Sequence, residues 1–224
     1  MENIDGRSST RGPSRGQVVA LGLALCFLAG VIGWWIAQPD EQTFNSVDVG
    51  FLSDMETHHR GAIELSFAYL GREHDSLVGH FAREIVLGQA QELAVMNSLL
   101  GEAGSPASAA DNVAMEWMGH AVPPAQMPGM ATDVEVEALR AAQGLEADDR
   151  FTGLMILHHA AGAAMARYAA EHGENAKVKQ LAAAMARAQL TEVTEMNNRR
   201  VQLGLEPVSD AAIDALLDAH AHAH

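Results

Sequence analysis

The chain has 224 residues, a formal net charge of −15, one cysteine and few aromatic residues. Such an acidic surface repels phosphate backbones, which excludes nucleic acid as a partner. The lone Cys26 leaves no internal disulfide and no Cys-based zinc site, so any metal must be held by His, Met, Glu, Asp or Gln. Alanine and methionine are abundant and β-branched runs scarce, which points to an all-α fold.

Residues 1–16 carry Arg7, Arg11 and Arg15, and residues 17–37 follow as an uncharged apolar stretch ending near Trp34 and Trp35. That length crosses a bilayer as one helix. The basic flank stays in the cytoplasm, so residues 17–37 read as a transmembrane signal anchor with the remainder extracytoplasmic. A cleaved signal peptide is the competing reading, but the stretch is long for one and no clean small-x-small site follows it.

From Phe51 the chain repeats itself at a constant offset of 100. Phe51, Met55, His58, His59, Val78, Ala82, Gln89, Glu92, Met96 and Asn97 each meet their own residue type in the second copy. The matches cluster in two patterns, F-x3-M-x2-HH and Q-x2-E-x3-M, so internal duplication explains them. Each copy predicts two helices, Ser46 to Arg72 and Asp75 to Leu100, then Asp148 to Glu171 and Asn175 to Leu203. Glycines stand near their ends, and Asp75 and Asn175 suit the starts of the second helices. The expectation is a ferritin-like four-helix bundle over 45–204, made of hairpin 46–100, a Met/Pro-rich linker 101–145 and hairpin 146–204.

The linker predicts one short helix near Asp111 to Gly119 and another from Thr132 to Ala142, where Thr132 and Glu135 form a capping-box pattern. It also holds Met115, Met118, His120, Met127 and Met130, with M-x2-M twice. Exposed methionines there would pass soft ions onward, whereas buried ones would simply fill gaps. Residues 205–224 form a terminal helix, Ser209 to His220, and a tail bearing His220, His222 and His224.

On helical spacing, Phe51, Met55, His58, Ala62, Leu65 and Tyr69 form the core stripe of the first helix. The second helix gives Val78, Ala82, Ile85, Gln89, Glu92, Met96 and Leu99. His58, Gln89 and Glu92 therefore stand where apolar side chains belong, and the second copy repeats this with His158, Gln189 and Glu192. Counting back from the hairpin turn sets His58 level with Gln89 and Met55 level with Glu92. A glutamate inside a core costs several kcal/mol unless something satisfies it. A closed His-Glu hydrogen-bond network would do so, and so would a metal ion.

The metal reading names Met55, His58, His59, Gln89, Glu92 and Met96, and Met155, His158, His159, Gln189, Glu192 and Met196. The linker residues Met115, Met118, His120, Met127 and Met130 are auxiliary. Thioether with imidazole suits copper, above all Cu(I), while imidazole with carboxylate leaves Cu(II), zinc and iron open. Adjacent histidines point about 100° apart on a helix, so the two of a pair do not jointly chelate one ion. No catalytic nucleophile, phosphate loop or Glu-x-x-His di-iron pattern stands out. A metal-dependent oxidoreductase and a metal-free interaction module remain alternatives.

The MxxHH and Q-x2-E-x3-M motifs, with the MPGM segment, resemble the family named domain of unknown function number 305 from about Phe51 to Gly204. The segments carrying the likeness are MPGMATDVEVEALRAAQG, FTGLMILHHAAGAAMA and AQLTEVTEM in the second copy, and DMETHHRGAIELS and GQAQELAVM in the first. The resemblance implies a ferritin-like helical bundle in an exported or membrane-anchored bacterial protein, some relatives being associated with copper handling. It carries the family motif onto His58, His59, His158, His159, Gln89, Glu92, Gln189, Glu192 and the motif methionines. Members often have Met a few residues after HH; Leu65 stands there in copy one and Met165 in copy two. Acidic residues often flank the second HH, whereas Leu154, Ile156 and Leu157 surround Met155 here.

Overall fold

The computed structural model describes residues 43–71, 75–105 and 113–218. These all fall in one compact unit. The proposed anchor at 17–37, Cys26 and the tail histidines lie outside the described residues. No helix among the described residues is long and apolar enough to cross a membrane.

The described residues contain six α-helices and no strand. The first hairpin is α1 (Ser46–Leu70) with α2 (Ser76–Glu102), and α3 (Asp133–Ala141) follows the linker. The second hairpin is α4 (Leu145–His172) with α5 (Ala176–Gln202), and α6 (Asp210–Asp218) packs back on α4. Helix starts follow from capping chemistry. Asp75 accepts from Leu77 and Val78 N–H at 2.9 and 3.1 Å, and Asn175 accepts from Lys177 and Val178 at 3.0 and 3.2 Å. Each cap satisfies amides that a helix leaves orphaned, a contribution of about 1 kcal/mol.

The central contact is between α1 and α4, each flanked by its hairpin partner. These two run antiparallel, because the start of each meets the far end of the other. Asp48 Oδ2 accepts from Glu174 and Asn175 N–H at 3.1 and 3.0 Å. Asp148 Oδ1, one repeat later, accepts from Asp75 N–H at 3.1 Å and from the Tyr69 hydroxyl at 2.5 Å. The duplication thus includes a pair of carboxylates that clamp the opposite hairpin turn. Burial and the Asp148 carboxylate beside it push the Tyr69 phenol up from its ordinary range.

The apolar stripes behave as their spacing predicts. Phe51, Met55, Ala62, Val78, Ala82, Phe151, Met155, Val178 and Ala182 are fully buried, and Tyr69 stacks on Phe151 with ring centroids 4.4 Å apart. Small residues crowd α4, where Ala160, Ala161, Ala163 and Ala166 are buried, so neighbouring chain segments approach it closely.

The linker differs from expectation. The short helix near Asp111 to Gly119 is only a 3-10 turn at Glu116–Met118, with a second at Pro124–Gln126. Met115, Met118 and Met127 are buried at 0, 1 and 2% exposure, and only Met130 is half-buried. They are not exposed carriers. Asp54 on α1 holds this segment down by accepting from Met115 N–H and Trp117 Nε1–H, both at 2.7 Å.

Candidate metal centre

The two HH pairs face each other where α1 crosses α4. His58 and His158 stack with ring centroids 3.7 Å apart and planes tilted by 36°. The spacing argument put one histidine of each pair in the core; all four are buried, with His58, His59 and His159 at 0% and His158 at 1% exposure.

A carbonyl oxygen only accepts, so each imidazole nitrogen facing one carries the proton. His158 Nε2 donates to the His58 carbonyl at 3.0 Å, and His58 Nε2 donates to the Pro128 carbonyl at 3.3 Å. Both Nδ1 atoms are then bare lone pairs, buried and without a partner. Burial, reinforced by the neighbouring His59, lowers His58 to a pKa of about 3. Burial and the facing His58 also hold His158 well below the ordinary imidazole range. Both rings are therefore neutral at physiological pH, the state in which imidazole ligates metals.

The second histidine of each pair turns outward to its own hairpin partner. His59 Nε2 bonds Glu92 Oε2 at 2.7 Å, and its Nδ1 is unpartnered. His159 donates Nδ1 to the Met155 carbonyl at 3.1 Å. Its Nε2 lies 2.8 Å from Glu192 Oε2, within ion-pair distance but outside hydrogen-bond alignment. The glutamate side chains keep 30 and 34% exposure, so they border the core rather than sit in it. Counting along the hairpin sets Glu92 level with Met55; its partner is His59, one turn further along the same face of α1, a rise of about 6 Å.

Gln89 and Gln189 are buried, at 5 and 4% exposure, each with an unpartnered Oε1. Gln189 also departs from the expected pairing within a hairpin. A methyl group added at Gly162 would sit 2.3 Å from Gln189 Oε1 and 3.0 Å from His58 Cε1. Gln189 of the second copy and His58 of the first thus border the same small space over Gly162.

The MPGM segment closes the outer side. Gly129 takes φ +79°, and a Cβ there would lie 2.8 Å from both His158 Cα and Ala161 Cβ, so only glycine lets the strap settle on α4. A Cβ on Gly61 would lie 3.2 Å from Met130 Sδ and 3.5 Å from His158 Nε2, which brings this thioether beside the histidine pair. Of the linker candidates, Met130 alone is placed there by a described contact; Met115 and Met118 belong to the Asp54 and Trp117 end of the strap, and His120 is half-buried. Met55, Met96, Met155 and Met196 are fully buried in the surrounding core. Among the described residues, no three His, Cys, Asp or Glu side chains converge as a ligand set.

Residues 48–200 match the family described as domain of unknown function DUF305, well over half of the chain. The chain belongs to this family. A DUF305 protein from Streptomyces coelicolor, described as secreted, is 32% identical with a TM-score of 0.67, covering 73% of this chain and 98% of its own. A DUF305 fragment from Deinococcus radiodurans is 27% identical with a TM-score of 0.62, covering 71 and 99%. CopM, solved in a Cu(II)-bound form, is 25% identical with a TM-score of 0.53, covering 70 and 97%. No curated protein matches the chain.

Sequence reasoning missed several contributors. Asp48 and Asp148 match at the repeat offset and were legible in principle. Gly162 and Gly61 carried no signal until the packing made their missing side chains matter, and Gly129 was marked only as part of the MPGM segment. Pro128 acts through a backbone carbonyl, which no residue type announces.

Proposed function

We propose that this DUF305 protein binds copper on the extracytoplasmic side of a bacterial cell envelope, for buffering or delivery, and is anchored there through residues 17–37. The observation that carries the reading is the set of buried polar atoms left without a hydrogen bond on the motif side chains: Nδ1 of His58, His59 and His158, and Oε1 of Gln89 and Gln189. Buried polar groups are normally satisfied, and leaving one unmade costs about 1–3 kcal/mol. All these atoms belong to side chains singled out by the repeat, and each is a potential lone-pair donor to a cation. Copper is favoured over zinc because the core imidazoles of His58 and His158 have a thioether, Met130, nearby. The fold shared with CopM, a protein solved with Cu(II), supports the same choice. The secreted S. coelicolor relative supports the location.

Titration of Cu(I) and Cu(II) into the purified chain tests the proposal. Binding tighter than micromolar, lost in His58→Ala with His158→Ala, is expected. The His59–Glu92 hydrogen bond favours a second reading, a metal-free packing module. That reading gains if no metal binds and the double variant changes stability alone.

A further inference from the structure

The duplication gives the surface an internal control. Three large apolar side chains of the first hairpin are exposed, Phe67 at 63%, Leu77 at 48% and Leu87 at 65%. One repeat later each position is basic: Arg167, Lys177 and Arg187. The contrast is strongest on α2. From Ile85 to Gly101 its only charged residue is Glu92, which is hydrogen-bonded to His59. The matching stretch of α5, Met185 to Val201, carries Arg187, Glu192, Glu195, Arg199 and Arg200. We infer that the outer face of α2 is a homodimer interface, on which α2 of a second molecule packs antiparallel across a two-fold axis at Ala94. The inference stands apart from the copper reading, because this face is turned away from Gln89 and the core.

Charge selects the occupant. A net charge of −15 makes copies of this chain repel one another over most of their surface. Two molecules approach at least cost where neither carries a charge, and the outer face of α2 is such a place. A strongly basic or acidic partner would find nothing there to pair with. The apolar ground also extends past the stripe, since Ile63 and Phe67 of α1 line one groove with Leu93 of α2. An exposed aromatic and a leucine on uncharged ground have the composition of an interface core.

The order of side chains sets the register. Leu87, Ala90, Ala94, Ser98 and Gly101 are exposed and share one outward stripe of α2. Their spacings run three, four, four, three, the same in either direction. An isologous contact requires that symmetry, because residue i must meet j while j meets i. With Ala94 on the axis, Leu87 lies over the partner's Gly101 and Ala90 over the partner's Ser98. Gly101 has no other explanation within the chain. Glycine inside a helix is destabilising relative to alanine, its φ here is not left-handed, and a Cβ there would meet nothing within 4 Å. Its missing side chain is a recess for a leucine, and the alanines let the helices approach to about 8 Å. Arg83, one turn beyond Leu87, comes to the end where the partner's Glu102 stands, so opposite signs close both ends of a contact about 21 Å long.

Analytical ultracentrifugation of the metal-free full chain in detergent tests the inference. The wild-type chain is expected to sediment as a concentration-dependent dimer. Ala94→Glu sets two carboxylates face to face on the axis and should raise the dissociation constant at least about a hundredfold. Leu87→Arg, the residue type of the second repeat, leaves an unpaired charge in the contact and should raise it at least about tenfold. Thr194→Glu, at the exposed counterpart on α5, should change nothing. Circular dichroism confirms that each variant is as helical as the wild type. Where a charged variant loses helicity, cysteine trapping decides. In a chain carrying Cys26→Ser, Ala94→Cys should form an intermolecular disulfide on mild oxidation, because a residue on the axis meets its own copy within the Cα separation of about 4.4–6.8 Å that a disulfide spans. Thr194→Cys in the same background should not. A wild-type chain that stays monomeric at every concentration overturns the inference and leaves the face to a different protein. A dimer unchanged by Ala94→Glu, or equal trapping at both positions, overturns it as well.

Discussion

At the residue scale, the duplicated carboxylates show how a repeat becomes a fold. Asp148 receives the Tyr69 hydroxyl and the Asp75 amide, and Asp48 receives two amides of the other turn. A hydrogen bond to a charged acceptor contributes about 1.5–3 kcal/mol, and deleting the acceptor strands buried donors. Asp148→Ala should therefore lower unfolding free energy by about 3 kcal/mol, and Tyr69→Phe by roughly half of that, in urea denaturation followed by circular dichroism. A loss under 1 kcal/mol for Asp148→Ala would mean that the clamp is incidental. The histidines are the other residue-scale lesson. Residue type and repetition marked all four from the sequence. Which nitrogen carries the proton was not legible, because that depends on the carbonyls of His58, Pro128 and Met155, which only the fold brings near.

At the element scale, the linker is a strap laid across α1 and α4, pinned by Asp54 at one end and by Gly129 over the histidines at the other. Gly129→Ala meets both a left-handed φ of +79° and Cβ contacts of 2.8 Å on α4. Left-handed backbone costs a residue with Cβ about 1–2 kcal/mol before any clash is added. The expected result is a loss of about 2 kcal/mol or more, with faster amide exchange over residues 127–130 and the His58 turn. Methionine burial supplies a second check. Mild peroxide should oxidise half-buried Met130 ahead of Met115, Met118 and Met127, read by peptide mass spectrometry. Equal oxidation of all four would contradict the packed strap. Composition alone, rich in Gly, Pro, Ala and Met, described a loose linker; its burial follows from the Ala-lined surface of α4, which admits close contact.

At the scale of the whole molecule, the buried histidines make stability depend on pH. His58 has its pKa lowered to about 3 and His158 is likewise lowered, chiefly by burial, while unfolded imidazoles titrate near about 6.5. Below that value the unfolded chain binds more protons on these rings than the folded one. Stability is then fully present above the unfolded pKa and is lost as pH falls from there towards the folded pKa. Each ring contributes a slope of about 1.4 kcal/mol per pH unit within that window. Urea midpoints of the metal-free chain should fall clearly from pH 7 to pH 5, and copper should raise the midpoint at pH 7 by binding only the folded form. A midpoint independent of pH would show that these rings are not buried in the neutral form.

The sequence alone determined the all-α class, the two hairpins and the doubled HH and Q-x2-E patterns. Those features are local, written in helical spacing and in identities at a constant offset, so they need no knowledge of how helices turn against each other. Helix limits moved by at most a few residues, as at α1, which ends at Leu70, and α4, which begins at Leu145. The tertiary structure decided the neighbours: Glu92 with His59, Gln189 and His58 of opposite hairpins over Gly162, and the strap carbonyl of Pro128 on His58. The physical reason is rotation about the helix axis. One residue of register advances the chain by only about 1.5 Å but swings a side chain through about 100°. Counting residues therefore found the level of the bundle to within about one turn, and packing chose which groups meet there.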